Sequence, residues 1–140
     1  MAAAALLYTP EVLALATALA RWPLADDLPL RGAARSPACG SRIELGLALD
    51  ADGRIERIGL RAQACAVGQA SAAIFAAAAV GQTPASLTAA LAAIEAWLRG
   101  TQGLPDWPGL GAIAAAQAYP GRHGAILLPW KAALEALPTA

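Results

Sequence analysis

Apolar and polar residues alternate over Arg42–Leu49, where Ile43, Leu45, Leu47 and Leu49 are spaced by Glu44, Gly46 and Ala48. A period of two predicts a half-buried β-strand. Asp50-Ala51-Asp52-Gly53 reads as a turn, and a second strand follows from about Ile55 to Ala64. Its apolar phase, Ile58, Leu60, Ala62 and Ala64, is out of step with Ile55, which predicts a β-bulge near Glu56 and Arg57. Two registers bring the apolar faces together, Leu45 opposite Ile58 or Leu45 opposite Leu60. The Pro- and Gly-rich connector Ala25–Ala38 has room for a short edge strand around Leu30–Ala33. The expected sheet is three-stranded and antiparallel.

Elsewhere the apolar period is helical. Thr9, Pro10 and Glu11 supply an N-cap, a first-turn proline and a dipole-matched acid, and Val12, Leu15, Ala16 and Leu19 form the stripe of a helix that Trp22-Pro23 ends. Val67–Val80 is an alanine-rich helix stopped by Gly81, with small residues on every side for close packing under the sheet. Thr83-Pro84 repeats the start signal, and Leu87, Leu91, Ile94 and Leu98 mark one face of a helix ending before Gly100. A short helix over Leu110–Ala118 and a last one over Arg122–Leu137, started or kinked by Pro129, complete the series. The fold class expected is α+β, a three-stranded antiparallel sheet packed against about five helices.

Composition narrows the function. The chain has 140 residues without a linker, which predicts a single domain over residues 1–140. Ten basic and ten acidic residues cancel, so the electrostatic footprint of a nucleic-acid or membrane-surface binder is missing, and neither partner is expected. Met1–Ala20 lacks a basic start and is interrupted by Pro10 and Glu11, unlike a secretion signal, and the cytoplasm is the expected compartment. No uninterrupted apolar run reaches bilayer length. Ser36, Ser41, Ser71 and Ser86 are available nucleophiles, but a single histidine and no nucleophile-elbow motif argue against a hydrolase. There is no P-loop, no GxGxxG and no zinc-finger spacing. An enzyme is not expected.

The only two cysteines, Cys39 in SPACGSR and Cys65 in QACAVGQ, stand at the two ends of the central hairpin. Either register places them within one position of facing each other, so their sulfurs are expected to be neighbours. Three fates are open to such thiols: a disulfide, a shared metal, or burial as small hydrophobes. Cys39 precedes Gly40 in a loop, and Cys65 precedes a helix whose N-terminal dipole favours thiolate. Two cysteines alone complete no metal site.

The order of these motifs resembles the U-type iron–sulfur cluster scaffold family, comprising IscU, SufU and the N-terminal domain of NifU. YTPEVLALA resembles the family's tyrosine-led opening helix, PACGS its PxCGD loop, ACAVGQASAA its second cysteine at a helix start, and RHGAILLPWKAALEAL its third-cysteine segment, especially the SufU-like branch. The resemblance implies a compact α+β domain in which three cysteines and one aspartate surround one exposed site for a nascent, labile [2Fe-2S] cluster or Zn(II). Residue by residue, Cys39 matches the first cysteine and Cys65 the second, whereas Ser41 stands at the aspartate and Gly124, or Ala125 with one insertion before Trp130, at the third cysteine. His123 precedes that position, where some members carry a histidine able to ligate instead, and imidazole binds both zinc and iron. As a lone histidine it also suits an ordinary polar surface position.

The implied ligand set is therefore Cys39, Cys65 and His123, with Ser41, water or a partner's thiol in fourth place. The function implied is cluster assembly and transfer, with a cysteine desulfurase and iron–sulfur acceptor proteins as partners. Two alternatives share the fold: a degenerate scaffold acting as a partner-binding adaptor or regulator, and a sulfur carrier with a persulfide on Cys65. The family's LPPVK chaperone motif has no counterpart; AQAYPGRHG occupies that region. Arg54, Glu56, Arg57 and Arg61 offer either a docking patch or a solvated face.

Overall fold

The computed structural model of the protein describes residues 7–138. Residues 1–6, where the opening apolar stretch begins, and 139–140, at the expected domain's end, lie outside the described residues. Helix α1 (Pro10–Ala18) is capped by Thr9, whose Oγ1 accepts from the Val12 amide at 3.1 Å, and it tightens into a 3-10 turn, Leu19–Arg21, before Trp22. Strands β1 (Leu30–Arg35), β2 (Arg42–Leu49) and β3 (Ile55–Gln63) form an antiparallel sheet in the order β1-β2-β3. Helices α2 (Ala66–Ala79), α3 (Pro84–Leu98) and α4 (His123–Ala136) complete the α+β fold.

The register is the one with Leu45 opposite Leu60, and the bulge falls at Glu56, which is skipped where Ala48 faces Arg57 and Leu49 faces Ile55. This pairing turns Ile43, Leu45, Leu47 and Leu60 into the core. The edge strand runs two residues beyond the expected Ala33, to Arg35. Cys39 therefore sits at the tip of the β1–β2 hairpin, in a loop closed by a Ser36 N–H to Ser41 carbonyl bond of 2.8 Å.

Small residues decide how closely the layers approach. A Cβ on Gly32 of β1 would overlap the Ala132 carbonyl of α4, so glycine is what lets this helix lie against the edge strand. On the opposite face, Gly46 and Gly59 are covered by the connector through Pro23, Leu24 and Leu28. Arg57 Nη2 pairs with Asp27 at 2.9 Å and Arg54 Nη1 donates to the Gly81 carbonyl, so two of the four residues read as either a docking patch or a solvated face tether the chain to itself.

The core's bulk is aromatic, which offsets the low volume of its alanines. Phe75 of α2 stacks on Trp107 at 5.6 Å, and Trp130 of α4 meets both edge-on, at 5.3 and 5.2 Å. Trp107 Nε1 donates to the Ile74 carbonyl, and among the described residues Trp130 Nε1 alone is a buried side-chain polar atom without a hydrogen-bond partner. Pro129 lies inside α4, which starts at His123. The short helix expected over Leu110–Ala118 is present with those bounds, wound as 3-10 and broken at Ile113 (φ −111°, ψ 18°). Gly109 and Gly111 near its start and a lack of any capping side chain leave it without an α-helical start signal.

Candidate functional site

Three chain segments converge at one end of the molecule: the Ser36–Ser41 loop, the start of α2 and the first turn of α4. Gly40, at φ +72°, allows the loop its tight return, and the Gly40 N–H donates to the Ser36 carbonyl at 2.9 Å. The loop's hydroxyl side chains turn inward, Ser36 and Ser41 being buried, while Cys39 is exposed. Ser41 Oγ lies 3.2 Å from Cys39 Sγ.

Cys65 is the N-cap of α2, with extended backbone (φ −63°, ψ 169°) and a sulfur that caps no amide of its own helix. It is half-buried and, like Cys39, a free thiol. A Cβ on Gly68, one turn on, would stand 2.8 Å from Ala64 Cβ, 3.2 Å from Ala125 Cβ of α4 and 3.9 Å from Cys65 Sγ. A Cβ on Gly124, the preceding residue of α4, would overlap Ser36 Oγ. Gly124 thus faces the Cys39 loop and Ala125 faces the Cys65 helix, so both cysteine-bearing elements abut the first turn of α4.

Hydrogen bonds from the Ser36 and Ser41 side chains, then the Ser41 amide, with a smaller contribution from the Arg122 charge, hold the Cys39 thiol below its ordinary range. Hydroxyl and amide donors favour the thiolate, which is the nucleophilic and metal-binding form. His123 is half-buried, and its Nε2 lies 2.8 Å from the Gln117 carbonyl. A carbonyl only accepts, so Nε2 donates and Nδ1 keeps the lone pair in the neutral ring. A backbone carbonyl on the far nitrogen is the usual arrangement behind a ligating histidine.

Among the described residues no three His, Cys, Asp or Glu side chains gather as a group able to hold a metal ion, so His123 is not drawn up to the two cysteines as the structure stands. Ser41, at the position of the family's aspartate, presents its hydroxyl to Cys39. The sequence reading missed Ser36 and Arg122 as partners of Cys39. Burial was the missing signal for Ser36: before the β1–β2 hairpin is known, a serine ahead of Pro37 looks like any loop hydroxyl.

The family model described as the NifU-like N-terminal domain matches residues 21–123. No curated protein matches the chain. Among solved structures, the N-terminal part of a nitrogen-fixing NifU-like protein from Brucella abortus aligns with a TM-score of 0.86 at 24% identity, covering 96% of this chain and 94% of that one. A putative iron–sulfur cluster assembly scaffold protein for the SUF system from Fervidobacterium islandicum AW-1 aligns at 0.83 and 19% identity, covering 96% and 98%. These likenesses show the fold, and the family model spans the sheet, both cysteines, α2 and α3 up to the first residue of α4: the chain belongs to the NifU-like N-terminal domain family.

Proposed function

We propose that this protein is an assembly platform that holds a nascent iron–sulfur cluster, or the metal and sulfur that precede it, on Cys39 and Cys65 and passes it to acceptor proteins. The supporting observation is that the two elements bearing the free thiols, the Cys39 loop through Ser36 and the Cys65 helix through Gly68, both abut the first turn of α4, with Cys39 exposed and neighboured by donors to its thiolate. The cluster is cargo, so the protein's task is to bind and release it rather than to turn over a substrate.

Cys39 offers its sulfur from a loop that partners can reach. Cys65 offers the second from a helix start, where the dipole favours negative charge on sulfur. His123, through Nδ1, is the third candidate ligand and Ser41 the oxygen in fourth place, with water or a partner's thiol as substitutes. Two thiolates bind a borderline-soft ion less tightly than three or four, which suits a cargo that must leave. A cysteine desulfurase is the class of donor that supplies sulfur to such a site, and iron–sulfur acceptor proteins take the product. Two free thiols suit a reducing compartment, and among the described residues no helix is long and apolar enough to cross a membrane, so we assign the work to the cytoplasm.

Glycine at position 124, with no group of three metal-binding side chains among the described residues, favours a second reading, a scaffold fold kept as a partner-binding adaptor or regulator. Anaerobic reconstitution with iron and sulfide separates the two. The platform gives a visible chromophore with acid-labile sulfide that Cys39→Ser or Cys65→Ser removes. A folded protein that stays colourless and metal-free, and whose partner binding survives loss of both cysteines, is the adaptor. Sulfur carriage alone would show as added sulfur in the intact mass after incubation with a desulfurase, without metal, and the greater exposure of Cys39 than Cys65 makes either thiol a position to map.

A further inference from the structure

Gly124 has no conformational reason to be glycine. It lies inside α4, and its φ is not among the positive ones. Alanine is the better helix former at such a position. The space explains the choice: a Cβ there would overlap Ser36 Oγ and stand 3.1 Å from Ser36 Cβ. Rotation can move the Oγ but not the Ser36 Cβ, which is held in place because the residue is 5% exposed and its backbone is bonded on both sides, its N–H to the Ser41 carbonyl at 2.8 Å and its carbonyl to the Gly40 N–H at 2.9 Å. Ala125, the other position at which a third thiol could be sought, is buried and stands beside Gly68 of α2.

We propose that Ser36 and Gly124 are a matched pair that closes the third-ligand position: the Ser36 hydroxyl fills the volume that a thiol at 124 would need. The site is thereby held to two sulfurs, and a cation of zinc or ferrous type is met by those sulfurs together with nitrogen or oxygen donors, His123 and the Ser41 hydroxyl being the candidates. The missing third cysteine is then a substitution whose vacated space has been filled, and restoring the thiol alone does not restore the ligand. The packing half of this inference is independent of what the site carries; the ligand half rests on Cys39 and Cys65 binding metal as proposed above.

A double-mutant cycle tests it, with Gly124→Ala, Ser36→Gly and their combination read by metal-free thermal unfolding. Gly124→Ala should lower Tm by several degrees in the wild-type background and cost nothing, or gain, in the Ser36→Gly background. Gly124→Cys and Ser36→Gly/Gly124→Cys are then compared for Zn(II) affinity by competition with a chromophoric chelator under reducing conditions. The single variant should bind no tighter than wild type, and the double variant roughly tenfold tighter or more, as expected of an added thiolate. Equal tolerance of Gly124→Ala in both backgrounds overturns the matched pair. Tight zinc binding by Gly124→Cys alone overturns the closure. Coupling in Tm with zinc bound by none of the proteins keeps the packing and refutes Cys39 and Cys65 as ligands.

Discussion

Helices α2 and α4 meet twice, and the two meetings are built from opposite materials. At their middles Phe75 and Trp130 pack edge-on with Trp107 beside them, three large rings with almost no exposure. At their first turns the same helices meet through Gly68 and Ala125, residues with little or no side chain, while Gly124 beside them admits Ser36 of the Cys39 loop, and a buried Ser71 hydroxyl donating to the Ile126 carbonyl at 2.7 Å bridges the interval. Bulk in the middle fixes the helix positions. Smallness at the ends lets the Cys39 loop and the Cys65 cap come in against α4. The fold thus separates what holds it together from what it presents, although one pair of helices serves both.

That separation can be broken at either end. Truncating the core, with Trp130→Ala, should cost about 3–5 kcal/mol in chemical denaturation while leaving metal bound per folded molecule unchanged. Metal binding lost in molecules that remain folded would show that core and site are one unit. Ser71→Ala removes the hydroxyl bond to the Ile126 carbonyl and should cost about 0.5–1.5 kcal/mol by the same measurement.

The smallest effect on stability and the clearest on the site belongs to the hydroxyls around Cys39. Its thiol is held below the ordinary value by the Ser36 and Ser41 donors, so the thiolate survives to lower pH than in the unfolded chain. The stabilisation this brings is present above the ordinary thiol value and is lost as pH falls through the depressed one. Alkylation of Cys39 by iodoacetamide, in protein with Cys65→Ser, should therefore reach half its maximal rate below the pH of a free thiol. Ser36→Ala should move that midpoint upward, and an unmoved midpoint would remove Ser36 from the site.

Much of this was legible in the chain and some was not, for physical reasons. The period-two run Arg42–Leu49, the Glu56 bulge and the Thr9 and Thr83 caps are local signals, and each is present where the residues imply it. The fold could be recognised because two cysteine loops and a tryptophan-lysine segment occur in a characteristic order. The 3-10 winding of Leu110–Ala118 was hidden because alanine-rich composition favours helix while a weak start does not enforce it. The pairings of Arg57 with Asp27 and of Ser36 with Gly124 join residues far apart in sequence, and no local pattern encodes them. Position 124 could be read only as an absent ligand until the structure showed what fills its space.

The most direct test of the whole account is the coordination shell of the metal, read by X-ray absorption of anaerobically prepared, zinc-loaded protein. Two sulfur neighbours at about 2.3 Å and two nitrogen or oxygen neighbours at about 2.0–2.1 Å are expected, the sulfurs falling to one in Cys39→Ser. Three or four sulfurs from a single chain's worth of protein would contradict it, as would a first shell with no sulfur.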